Sequence, residues 1–327
     1  MTILVTGSAG HLGEGLVRRL RDAGRDVRGV DIKPSPFTDH IGSIDDREFV
    51  TALMPGVRAI AHAATLHKPH VATHSARRFI DTNVAGTLTL LEAAAAARVE
   101  AFVFTSTTSA FGAALTPAAG GPAAWVTEDV APVPRNIYGV TKVAAEDLCE
   151  LFHRRDRLPV VVLRTSRFFP EADDDAAVRG AYATANVQVN ELLHRRVDLD
   201  DVVDAHLLAI DKAPALGFGR YVVSATTPFT RGDLATLRSD APAVVRRLFP
   251  DFDGLYAERG WSMFPGIDRV YDNARARSAL GWRPRHDFRS ALDRLSAGVD
   301  FRSGLAITVG SKGYHDVAFA EGPYPVA

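Results

Sequence analysis

The chain has 327 residues, 46% of them hydrophobic and 24% charged, an ordinary globular mixture that excludes wholesale disorder. Its 38 basic and 39 acidic side chains leave a formal net charge of −1, so nothing in the composition favours nucleic acid or an anionic lipid surface as a partner. A single cysteine, Cys149, excludes an internal disulfide and a Cys-rich zinc site.

No apolar run approaches the ~18 residues of a membrane-spanning helix, and the start Met1-Thr2-Ile3-Leu4-Val5-Thr6 lacks the basic region of a signal peptide. A soluble, cytoplasmic protein is expected. In chain order, Ile3-Leu4-Val5 reads as a buried strand ended by Gly7. Leu12, Leu16, Val17 and Leu20 recur at helical spacing, and Gly24 stops that helix. Strands are expected over 27–31 and 57–63, a helix over 79–97, a strand over 101–106 and a helix over 137–152. The β-branched run 160–163 is a further strand. This alternation predicts an α/β fold, a Rossmann-type doubly wound parallel sheet.

After Pro170 the rhythm breaks. Residues 171–175 read as a solvated acidic loop, 202–210 as a helix, 221–224 as a strand, and 274–280 as a helix ended by Gly281. Helical pieces mix with Pro and Gly over 228–265, and 303–327 is Gly-rich and weakly patterned. Residues 1–165 are expected to form the Rossmann domain. Residues 166–327 are expected to form a smaller C-terminal substrate lobe, some of whose segments return to the sheet.

The turn Thr6-Gly7-Ser8-Ala9-Gly10-His11-Leu12-Gly13 lies between the first strand and the first helix. Gly7, Gly10 and Gly13 permit a tight turn, close approach to a pyrophosphate and close helix–strand packing. The helix N-terminus that follows offers free N–H groups to an anion. Asp31, about 20 residues on, ends the second strand, where a carboxylate accepts hydrogen bonds from ribose hydroxyls and repels a 2′-phosphate. NAD is therefore expected over NADP, although Lys33 stands nearby.

Tyr138 and Lys142 stand four residues apart, on one face of a helix. A phenol titrating near ~10 is a poor base at neutral pH. A neighbouring ammonium and a cationic nicotinamide would lower that value into the range of a general base.

These features, with Ala61-His62-Ala63-Ala64, Asn83 within 81–87, the run Thr105-Ser106-Thr107-Thr108-Ser109, Leu163-Arg164, the stretch 197–206 and Ala279 to Pro284, resemble an extended short-chain dehydrogenase/reductase of the NAD-dependent sugar epimerase/dehydratase type. The resemblance runs along most of the chain. It implies Thr107, Tyr138 and Lys142 as the catalytic group, with Thr107 hydrogen-bonding the reacting oxygen; a strand-end cap is the plainer role for Thr107. It implies Gly7, Gly10, His11, Leu12, Gly13, Asp31, Ser43, Ile44, Ala61, Ala63, Ala64, Asn83, Thr105, Tyr138 and Lys142 along the cofactor. For Asn83 the implied role is support of the active-site helix, and an ordinary cap is its alternative.

Departures from the family pattern also matter. Ser43 stands where the family often has an adenine-contacting Asp, and Phe111 where it often has Tyr. Arg167 occupies the place of an Asn that touches nucleotide sugars, and His194 that of an Arg facing substrate phosphates. With Thr107 and Thr108 these are the expected substrate contacts. Arg167 is suited to a bidentate carboxylate or phosphate contact, and equally to a structural salt bridge. The stretch between Pro170 and His194 is short for a nucleotide-holding lobe. No metal site is expected: His67, His70 and His74 lack a completing carboxylate, and Pro69 interrupts the helix their spacing would need.

The first expectation is an epimerase that oxidises a secondary hydroxyl of a sugar or sugar-nucleotide and then returns the hydride. The second is an NAD-dependent dehydrogenase of a free sugar, sugar acid or polyol. The third is a non-catalytic NAD-binding regulator, against which both Tyr138 and Lys142 argue. The resemblance also implies a homodimer paired through the helices 79–97 and 137–152.

Overall fold

The computed structural model describes residues 2–313. The part of the Gly-rich tail beyond 313 lies outside the described residues. The strands in chain order are β1 (Thr2–Thr6), β2 (Val27–Asp31), β3 (His40–Ile41), β4 (Val57–His62), β5 (Ala101–Thr107), β6 (Ala124–Val126), β7 (Val160–Thr165), β8 (Phe218–Val223) and β9 (Arg269–Tyr271). Seven make one parallel sheet in the order β3-β2-β1-β4-β5-β7-β8, while β6 and β9 pair in a separate ribbon.

The central strands are continuous apolar runs because both sheet faces are covered. On one face, Ile3, Val5, Val103 and Val161 pack with Leu16 and Leu20 of the helix His11–Asp22 and with Val202 and Val203 of the helix Leu199–Leu216. On the other, Leu4, Ile60, Phe102 and Val162 meet Leu90 and Leu91 of the helix Gly86–Ala96 and Cys149 and Phe152 of the helix Ile137–Asp156. The chain leaves β1 for β2 on one side and returns to β4 on the other. Ligands of such sheets bind outside the strand ends at that switch point.

Several expected elements differ in extent. The helix expected over 79–97 runs from Ala76 to Ala96, and its segment Ile80–Ala85 is π-helical. The helix expected over 202–210 extends to Leu199–Leu216 because Asp198 caps it by accepting from the Asp200 amide. The strand expected over 221–224 is β8, which pairs with β7 at the sheet edge, so material beyond residue 165 completes the sheet. The helix Arg47–Leu53 escapes sequence reading because only Val50 and Leu53 along it are buried.

A separate apolar cluster gathers Val189, Leu237, Val245, Phe252, Phe288 and Leu292 from the later part of the chain. The mixed segment 228–265 resolves there into the short helices Leu234–Ser239, Ala241–Leu248 and Phe252–Ala257.

Candidate active site

A cavity of about 850 Å³ opens beyond the C-terminal ends of β1, β4, β5 and β7. Its walls include the glycine turn, Ala63, Thr105 to Ser109, Tyr138 and Ser166 to Phe169.

The glycine turn is closed too tightly for side chains. A Cβ at Gly13 would lie 1.9 Å from the Gly7 carbonyl oxygen, and Gly7 itself has φ +76°. The Gly7 and Ser8 amides donate to the Val30 carbonyl at 2.8 and 3.1 Å, which ties the turn to β2. At the end of β2 the Asp31 carboxylate accepts from the Ala9 amide at 3.1 Å and from the Lys33 amide at 2.9 Å. His11 opens the following helix. Its Nδ1 lies 2.8 Å from the Gly310 carbonyl, so Nδ1 carries the proton there and Nε2 is left an acceptor. That Nε2 is buried and has no hydrogen-bond partner among the described residues. A tight turn, a helix N-terminus and a strand-end carboxylate are the donor and acceptor set that a dinucleotide needs, and the residues fit NAD.

Thr107 ends β5, and Tyr138 enters the cavity from the first turn of the helix Ile137–Asp156, which Asn136 caps by accepting from the Gly139 amide at 3.1 Å. Burial pushes the Tyr138 phenol up to about 12, and a hydrogen bond from the Thr107 hydroxyl works against that rise. Among the chain's own groups desolvation of the phenolate is the larger effect; the expected lowering also counts on the cationic nicotinamide. Thr107 also accepts from the Ser109 amide at 3.1 Å, so it is a strand-end cap as well as a cavity residue.

Lys142, one turn further along the same helix, is buried outside the cavity lining with its Nζ 4.1 Å from the centroid of the Phe104 ring. Burial brings its ammonium down to about 7, and Glu146 opposes that fall. Glu146 itself accepts from Ser106 at 2.5 Å and from Arg164 at 2.7 to 3.1 Å.

Asn83 is held away from the cavity. Its side chain accepts from the Leu66 amide at 2.8 Å and from Thr65 Oγ1 at 3.0 Å, and donates to the Leu66 carbonyl and Thr141 Oγ1, both at 3.0 Å. The wider π-helical turn gives this side chain room to reach both neighbours. Asn83 thus braces the active-site helix and the segment after β4. Ala61 is fully buried in the sheet core and Ile44 is buried where Gly86 leaves space for it, so neither wall position assigned from the sequence is exposed to the cavity. Ser43 and Ala64 are partly buried.

His194 is likewise corrected. It is buried, its Nδ1 lies 3.2 Å from the Arg269 carbonyl, and burial lowers it to about 3. It packs on Phe264 rather than lining the cavity. Arg167 does reach the cavity, and it is engaged by Asp173, Asp174 and Glu191. Thr108 lines the same wall. Sequence reasoning missed Ser166, Arg135, Arg269 and Tyr271 as cavity residues; Ser166 was open to discovery, since it directly follows a parallel strand.

Of the three clustered histidines only His67 lines the cavity, with its ring 6.1 Å from that of Tyr138. The Pro69 that seemed to break a helix sits in the first turn of the 3₁₀ segment Lys68–Ala72, where its missing N–H costs nothing. Among the described residues no group of three or more His, Cys, Asp or Glu converges on a metal position. No helix among them is long and apolar enough to cross a membrane.

A sequence profile described as the NAD dependent epimerase/dehydratase family matches residues 3–223. The dTDP-glucose 4,6-dehydratase of Streptomyces antibioticus is 29% identical, over 90% of this chain and 91% of that protein. The UDP-glucose 4-epimerase of Rhizobium meliloti is 27% identical, over 89% of this chain and 94% of that protein. An uncharacterized protein of Sinorhizobium fredii is 32% identical over 50% of this chain, and the match spans 40% of that longer protein. Among solved structures, a short-chain dehydrogenase/reductase superfamily protein from Agrobacterium tumefaciens with bound NAD superposes with a TM-score of 0.66. It is 25% identical, covering 91% of this chain and 96% of that one.

Proposed function

This chain belongs to the NAD dependent epimerase/dehydratase family, and from that premise we propose that it oxidises a secondary hydroxyl of a sugar or sugar-nucleotide, with Tyr138 as the base. The observation that carries this reading is the Thr107–Tyr138 pair in one cavity wall with the glycine turn.

NAD supplies the hydride acceptor and, in an epimerase, the hydride for the return step. Gly7, Gly10, His11, Leu12 and Gly13 would hold its pyrophosphate, Asp31 its ribose and Ser43 its adenine, with Ala63, Ala64 and Thr105 along the rest of the cofactor. Thr107 donates to the reacting oxygen and orients it on the phenol. Tyr138 takes the hydroxyl proton, and the Lys142 ammonium favours the phenolate that does so. The segments after residue 165 that do not join the sheet or cover its face provide the substrate lobe.

The named relatives support an epimerase or dehydratase reading, each aligned along about nine-tenths of this chain. Thr108 and Ser109 follow Thr107 where dehydratases of the family carry an acidic pair, which favours the epimerase. A dehydrogenase of a free sugar, sugar acid or polyol is the second reading, favoured by Arg167 in the cavity wall. The exposed apolar side chains of Ile80, Val140 and Leu151, on the two helices expected to pair, support a homodimer.

The test is incubation of the protein and NAD with sugars, sugar acids and nucleotide sugars. Epimerised product without accumulating NADH supports the first reading, and accumulating NADH the second. Bound NAD with no conversion of any sugar overturns both and leaves the regulator.

A further inference from the structure

The cavity is lined by five basic side chains, Lys68, Arg135, Arg167, Arg195 and Arg269, and its carboxylates, Asp173, Asp174 and Asp175, are consecutive on one loop. Asp175 is committed to the helix that follows, where it accepts from the Ala177 amide at 2.8 Å. The other two grip Arg167. Its Nη1 lies 2.5 Å from Asp173 and its Nη2 3.0 Å from Asp174, so both ends of the guanidinium fork carry a carboxylate. Lys68 pairs with the second oxygen of Asp174, and Arg195 lies 3.8 Å from Asp173. Beneath them Glu191 is fully buried and pairs with Arg167, Arg195 and Arg196, which fixes the arginines from below.

Two further observations place a ligand here. The Ser166 hydroxyl is buried, belongs to the cavity wall and has no hydrogen-bond partner among the described residues. The Nε of Arg195 is buried and equally unpartnered. Ser166 directly follows Thr165, which pairs in register with Thr107, so it adjoins the reacting end of the cavity. The bridge between residues 167 and 196 brings the segment of Arg195 alongside.

We propose that the substrate is a sugar carrying its own anionic group, a carboxylate or a phosphate monoester, which Arg167 and Lys68 bind in exchange for Asp173 and Asp174, with Ser166 and Arg195 as added donors. The inference rests on the reading of this cavity as a sugar-oxidising site. One bidentate oxyanion can take both ends of the guanidinium fork in place of the two carboxylates, which are released to solvent. A neutral sugar cannot make that exchange, because it would strip Lys68 of its carboxylate and leave Arg167 with Glu191 alone. The acidic loop is therefore an internal stand-in that excludes neutral sugars and yields to charged ones.

The test is calorimetric titration of the NAD-loaded protein with galacturonate, glucuronate, glucose 6-phosphate, galactose and glucose. An anionic sugar should bind roughly tenfold or more tightly than its neutral parent. Preference for a uronate identifies a carboxylate, and preference for the sugar phosphate a phosphate. In Arg167→Met the anionic-to-neutral affinity ratio should fall toward one; if that variant does not fold, Arg167→Lys, which keeps the charge and loses the fork, should also lower it. In the Asp173→Asn, Asp174→Asn double variant the ratio should rise severalfold, an outcome that a purely structural loop would not produce. Equal binding of neutral and anionic sugars, or a lowered ratio in the double variant, overturns the inference. Conversion of neutral sugars without anionic preference overturns this inference alone, whereas failure of NAD and Tyr138 to support conversion of any sugar overturns the underlying reading too.

Discussion

The ammonium nitrogen of Lys142 lies 4.1 Å from the centroid of the Phe104 ring, a cation held on an aromatic face inside the protein. The ring attracts the charged form, while burial disfavours it more strongly and brings the lysine down to about 7. Lys142 thus exchanges its own proton near neutral pH.

This has a consequence for stability. Lys142 titrates near 7 when folded and near ~10.4 when unfolded, so between these values the unfolded chain binds more protons. The cofactor-free protein should therefore gain stability as pH rises from about 7 to about 10, with the full penalty present below 7. The expected gain is on the order of 2 kcal/mol. Urea unfolding at pH 7 and pH 9.5 measures it, and Lys142→Met should flatten the rise. The same slope in both proteins would show that Lys142 does not titrate as described.

Tyr138→Phe keeps the ring and removes the hydroxyl that Thr107 meets. Turnover should fall by ~10³-fold or more, the range of a lost general base. NAD affinity should stay within about threefold, since the glycine turn and Asp31 are untouched. Single-turnover kinetics and NAD titration check the two together, and retained turnover would remove Tyr138 as the base.

Asn83→Ala should destabilise the fold by about 2–3 kcal/mol, because it leaves the Leu66 amide and Thr141 without the partner that joins them. Turnover should drop as well, since Thr141 lies on the helix that aims Tyr138. Denaturant unfolding and kcat read the two effects. A variant as stable as the parent would show that Asn83 does not brace the segment after β4 against the active-site helix.

Asp31→Ala should narrow the preference for NAD over NADP. The carboxylate ends β2 beside the Ala9 amide of the glycine turn, where a 2′-phosphate would meet its charge. Comparing the dissociation constants of the two cofactors decides it, and an unaltered ratio would mean that Asp31 does not read the ribose.

Much of the fold was legible because it rests on local patterns. The apolar runs of β1 and β7, the glycines at 7, 10 and 13, and the four-residue spacing of Tyr138 and Lys142 constrain the backbone through neighbours in sequence. Those patterns marked the glycine turn and the family resemblance marked Thr107, and the fold brings the two into one cavity. The bracing role of Asn83 was not legible, because its partners Leu66 and Thr141 stand far from it in the chain.

What the amino-acid order determined alone was the alternation of strand and helix, the dinucleotide turn and the identity of the candidate base. Tertiary structure decided which groups lose their water and which charges meet. Only burial raises Tyr138 and lowers Lys142. The loop after Arg167 turns back to lay Asp173 and Asp174 on its guanidinium, while His194 is drawn into the interior. Desolvation and ion pairing depend on distance in space, and periodicity along the chain carries no record of that distance.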